Sequence, residues 1–109
     1  MGCSPKIQKS DFFGEWHFEK GFNFYYTIAE ENVTVTERSF LWGLRKDVVE
    51  IEKWELVSNK DTETKKEFPN GFKIYPMLED GEEEPLTLFI NKDKTKLMDE
   101  EGDILIKQH

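Results

Sequence analysis

The sequence predicts an all-β fold: a small antiparallel up-and-down barrel of about eight strands, spanning residues 11–109 behind a flexible tether of residues 1–10. Three observations carry that expectation. Apolar side chains near the start alternate with period two, the period of a half-buried strand. Turn-forming residues return roughly every 8–12 positions. No stretch keeps a 3.6-residue apolar period long enough for a stable helix. Closing short strands on themselves also removes the open edges that would otherwise template aggregation.

The elements follow in order. Phe12, Gly14, Trp16 and Phe18 share one parity and Glu15, His17 and Glu19 the other, which makes the first strand. Lys20-Gly21 turns the chain, and Phe22, Phe24, Tyr26 and Ile28 repeat the alternation with Asn23, Tyr25 and Thr27 opposite. So short a connection implies an antiparallel hairpin. Glu30-Glu31-Asn32 turns into a third strand at Val33-Thr34-Val35-Thr36. Between Arg38 and Leu44 the phase is ambiguous: Phe40, Trp42 and Leu44 alternate, yet Gly43 marks a bulge or bend.

From Asp47 to Val57, β-branched Val48, Val49 and Ile51 weigh for a strand against the alternative of a helix. Its apolar parity slips, with Val49 and Ile51 pointing one way and Trp54 and Leu56 the other. A β-bulge near Glu52-Lys53 reconciles the two halves. Asn59 to Lys66 is a polar loop, and Pro69-Asn70-Gly71 reads as a turn into a strand at Phe72–Pro76. Glu79 to Glu84 is a solvated acidic loop. Leu86–Ile90, Thr95–Met98 and Ile104–Lys107 complete the strands, separated by turns at Asn91–Lys94 and Glu101–Asp103.

Composition narrows the function. A chain of 109 residues suits one domain. Hydrophobic residues make up 37% and charged residues 35%, so the nine Phe, three Trp and three Tyr must supply much of the core. Net charge is -8, the only arginines are Arg38 and Arg45, and no basic stripe exists to displace counterions from phosphates. Neither nucleic acid nor electrostatic adhesion to an anionic membrane is expected. A single cysteine excludes an internal disulfide, and no apolar run approaches the roughly 18–20 residues that cross a bilayer.

Gly14-x-Trp16 on the first strand of this pattern resembles the first structural motif of lipocalins and other calycins. The tail, Asn91-Lys92-Asp93 through Leu97-Met98-Asp99 and Gly102-Asp103 to Ile106-Lys107, is similar to their closing hairpin. The resemblance implies that Trp16 plugs the closed end of the barrel beneath Lys107, where the family usually carries arginine. It also implies a bend and a close backbone approach at Gly14. A compact bacterial lipocalin-like domain is the implied relative.

Gly2-Cys3-Ser4, followed by polar residues to Ser10, resembles the mature start of a bacterial lipoprotein. That resemblance implies a lipid on Cys3, holding the domain at a bacterial cell envelope and facing outside the cytoplasm. N-myristoylation of Gly2 is an alternative, although Lys6 stands where that motif wants Ser or Thr. An unmodified thiol is the other alternative and stands ahead of myristoylation.

Residues for catalysis are scarce. His17 and His109 are the only imidazoles, and His17 falls on the outward parity between Glu15 and Glu19. Zinc would want Cys and His at short spacing, and the acidic runs 79–84 and 99–103 lack the ligand order of a calcium loop. Glycines are scattered among turns rather than gathered into a phosphate loop. No enzymatic activity, cofactor or metal is expected.

The inward rings could line a cavity or fill it. The leading expectation is a non-enzymatic binder of a small apolar or amphipathic ligand, with Phe18, Phe24, Tyr26, Trp42, Trp54 and Tyr75 against the ligand. Tyr26, Tyr75 or Lys53 would offer a polar anchor. The alternative is a protein-interaction or inhibitor module with a filled barrel core, working through the acidic loop 79–84 and the rings of Phe13, Tyr25 or Phe89. An enzyme at a membrane surface comes third.

Overall fold

The computed structural model describes residues 7–21, 23–39, 43–76 and 85–108. They form a closed antiparallel barrel in which each strand pairs with its sequence neighbours and the first with the last. The strands are β1 (Gly14–Phe18), β2 (Phe24–Ile28), β3 (Asn32–Ser39), β4 (Gly43–Ser58), β5 (Asn70–Pro76), β6 (Leu86–Ile90), β7 (Lys96–Met98) and β8 (Ile104–Lys107). This is the expected up-and-down barrel, an architecture consistent with lipocalins and calycins. Closure comes from β8, which sets Lys107 opposite Trp16 and Leu105 opposite Phe18 on β1.

The period-two pattern becomes an inside and an outside. Trp16 faces Tyr26 across the β1–β2 pair, and Tyr26 faces Val35 on β3. Residues opposite one another share a face, so Trp16, Phe24 and Tyr26 all project to the interior. Outside, His17 stacks on Tyr25 with ring centroids 4.1 Å apart.

β4 is the long, staggered strand. Its first half, from Gly43 to Glu50, pairs with β3, and its second half, from Ile51 to Ser58, pairs with β5. The register shifts between Ile51 and Lys53, at the expected bulge. The extra residue returns Trp54 and Leu56 to the row of Ile74 and Phe72, although both stay exposed.

Two local expectations need correction. Asn70-Gly71 is not a turn: β5 begins at Asn70, and the reversal lies earlier, in residues 61–67. Asn59 organises it, donating from Nδ2 to Thr64 Oγ1 (3.0 Å) and to the Phe68 carbonyl (2.9 Å) and accepting from the Asp61 N–H (3.0 Å). Gly71 is needed in the strand because β6 lies close against it. A Cβ there would stand 2.5 Å from the Leu88 carbonyl oxygen and 2.6 Å from Phe89 Cδ1. Gly71→Ala is therefore expected to cost about 1–3 kcal/mol of stability, read as a fall in denaturant midpoint. An unchanged midpoint would contradict this account of the β5–β6 contact.

Phe12 is the second correction. It lies not on β1 but at the end of a 3₁₀ turn, Lys9–Phe12, and is wholly buried against Phe72, ring centroids 4.3 Å apart. The boundary placed between tether and barrel falls inside this turn, and Ile7 already packs on the core. Asp11 pins the turn, accepting from the Gln8 N–H at 2.8 Å while Lys94 Nζ, on the β6–β7 connection, stands 3.1 Å away.

Candidate functional site

The two ends of the barrel are built differently. At the end that receives the N-terminal segment, Trp16 is fully buried and its indole N–H donates to the Phe12 carbonyl at 2.9 Å, which satisfies its one polar atom. Lys107 Nζ lies 5.7 Å from the centre of the Trp16 ring, within cation–π range. Its stem crosses Gly14, where φ is +135° and a Cβ would meet Lys107 Cε at 3.0 Å. The sequence thus brings Gly14, Trp16 and Lys107 into one contact. With Phe12, Phe72, Ile90 and Leu97 also buried, this end is solid.

The opposite end carries a cleft among the described residues. β1 ends and β2 begins there, and the β7–β8 turn arrives beside them. Phe18, Phe24 and Tyr26 meet as a cluster: Phe18 packs edge-on to Phe24 at 5.0 Å and tilted to Tyr26 at 5.9 Å, and Phe24 and Tyr26 are 5.8 Å apart. These rings, with Leu86, wall a cleft of about 300 Å³ rimmed by Asp99, Glu100, Glu101 and Asp103. Three of the six residues expected to touch ligand are therefore assembled at one place.

The other three are not. Trp54 shares the row of Ile74 but lies beside the N-terminal turn, with Lys9 Nζ 4.6 Å from its ring centre, and it remains 36% exposed. Tyr75 alternates with Ile74 and so faces outward, where its hydroxyl donates to Glu55 Oε1 at 2.8 Å and Lys73 Nζ lies 5.3 Å from its ring. Lys53 pairs with Tyr75 on the same outer row and offers no anchor inside. Trp42 lies outside the described residues, as do Cys3, Phe22 and the acidic loop 79–84. Of the rings considered for surface contact, Phe13 packs partly on the core, Tyr25 stacks on His17, and Phe89 lies near Gly71.

Electrostatics mark the cleft. Burial first, and then the negative charge of Asp99, hold the Tyr26 phenol above its ordinary pKa of 10.0. The folded chain keeps this proton at a pH where the unfolded chain has lost it. The resulting stability is complete below pH ~10 and disappears as pH rises through the raised folded value. Tyr26→Phe is expected to make the melting temperature fall less steeply above pH ~10. An identical alkaline decline in the variant would contradict this environment for Tyr26.

The acidic rim was missed as part of a site. In an up-and-down barrel every second turn opens at the same end, so counting strands places 99–103 beside the end of β1 and the start of β2. Asp99 builds its own turn, its Oδ1 accepting from the N–H groups of Glu101 (3.0 Å) and Asp103 (2.8 Å). Among the described residues no group of His, Cys, Asp and Glu is placed to hold a metal ion. His17, on the outer face, has Nε2 3.1 Å from Glu15 Oε1. Comparison with protein-family models, curated proteins and solved structures finds no match to the chain.

Proposed function

We propose that this chain is a non-enzymatic binding protein that takes a small apolar or amphipathic ligand in the aromatic cleft at one end of its barrel. The observation that carries the reading is the meeting of Phe18, Phe24 and Tyr26 around a cleft of about 300 Å³. That volume is at the small end of ligand sites, which run from roughly 300 to 1,000 Å³. A cleft of this size suits one ring or an alkyl segment of modest length. Ring contacts add about 0.5–1.5 kcal/mol each beyond the area they bury.

Titrating 1-decanol into the protein and following it by calorimetry tests the reading. A saturable single-site isotherm is expected. No saturable heat or competition up to the solubility limit of the alcohol would end it.

The same reading holds the domain at a bacterial cell envelope, outside the cytoplasm, through a lipid on Cys3. The Gly2-Cys3-Ser4 stretch with its polar continuation supports this. Intact-mass measurement of the membrane-extracted protein is expected to give a diacylglyceryl adduct that Cys3→Ser abolishes. An unmodified, freely soluble chain from its native host would remove the anchor without touching the cleft.

A further inference from the structure

The cleft combines two kinds of wall. Phe18, Phe24, Tyr26 and Leu86 supply an apolar, π-rich side, and Asp99, Glu100, Glu101 and Asp103 a rim of carboxylates; no basic residue lines it among the described residues. Lys20 lines the adjoining cleft of about 230 Å³ with Phe18, Glu19 and Asp103, and Lys60 lines another of about 470 Å³ with Asp99, Glu100 and Glu101. Aromatic faces attract cations through their quadrupole, and carboxylates attract them by charge; the same arrangement repels anions. The turn itself uses the Asp99 carboxylate, whose Oδ1 accepts both of its closing N–H bonds. The charge of Asp99 also reaches into the cleft, since it helps keep the Tyr26 phenol protonated.

We infer that the ligand is cationic: a free alkylammonium compound whose head sits between the three rings and the carboxylate rim, with its apolar stem against Leu86. This rests on the binding function proposed above and specifies the chemical class of its ligand. The same rim disfavours fatty carboxylates and other anionic amphiphiles. A zwitterionic lipid headgroup is disfavoured too, because its phosphate would meet those carboxylates.

The test compares decyltrimethylammonium, 1-decanol and decanesulfonate, each below its aggregation concentration, by calorimetry and by ring-proton shifts of Phe18, Phe24 and Tyr26. The cation is expected to bind roughly ten-fold tighter than the alcohol, and less so at high salt, while the sulfonate gives no saturable shift. A triple variant, Glu100→Gln, Glu101→Gln and Asp103→Asn, keeps Asp99 for the turn and should lose the preference while still binding 1-decanol. Glu30→Gln, Glu31→Gln and Glu50→Gln, exposed positions away from the cleft, remove the same charge and should leave the preference intact.

Equal affinity for all three probes would overturn the cationic assignment and leave the apolar site standing. An equal loss of preference in both triple variants would overturn it as well, reducing the effect to net charge. Failure of every probe to bind would overturn the site itself. Phosphatidylcholine vesicles should not co-sediment the unlipidated Cys3→Ser protein; retention of that protein on them would overturn the assignment to a free ligand.

Discussion

Replacing Trp16 by alanine is expected to lower the melting temperature by about 15–30 °C, or to leave a chain that does not fold. The indole is wholly buried, and large-to-small changes at such sites cost about 3–5 kcal/mol. For a domain of this size each kcal/mol moves the midpoint by roughly 4–8 °C. The total stability to be lost is itself only about 5–15 kcal/mol. Two further losses accompany the cavity: the Phe12 carbonyl forfeits its 2.9 Å donor, and Lys107 is left over empty space. Trp16→Phe separates these, since it keeps most of the volume but not the N–H, and is expected to cost about 1–2 kcal/mol. If Trp16→Ala melted within a few degrees of the parent, the plug would not be holding the lower end together.

Phe18→Ala should have the largest effect on ligand. Phe18 touches both other rings of the cluster and lines the cleft, so its removal takes away one wall and frees its neighbours to reorient. Affinity for 1-decanol is expected to fall more than ten-fold, with a stability cost of only about 1–2 kcal/mol because the ring is half-buried. Phe13→Ala is the matched control: it removes a half-buried ring at the end that receives the N-terminal segment and should cost similar stability without changing affinity. Equal binding by both variants would remove Phe18 from the site.

Strands β6 and β8 were legible to the residue because each is a short, largely apolar run next to clear turn chemistry. The bulge in β4 was legible for a different reason: only one inserted residue puts Val49 and Trp54 on the same face of the sheet. Asn70-Gly71 misled because local turn preference lost to a tertiary demand, the close approach of Leu88 and Phe89. Phe12 misled because one 3₁₀ turn can carry a ring into the same core that a strand residue would reach. Tyr75 was assigned inward on its residue type, whereas its parity with Ile74 sends it outward to Glu55. The carboxylate rim needed topology: Asp99 to Asp103 read as a solvated turn until the strand order set them opposite the Phe18 cluster.

Intermolecular NOEs between 1-decanol and the aromatic ring protons test the division into a solid end and an aromatic mouth most directly. Cross-peaks to Phe18, Phe24 and Tyr26, with none to Phe12 or Phe72, are the result this account predicts. Contacts to Phe12 or Phe72, or a bound alcohol that touches none of the three mouth rings, would contradict it.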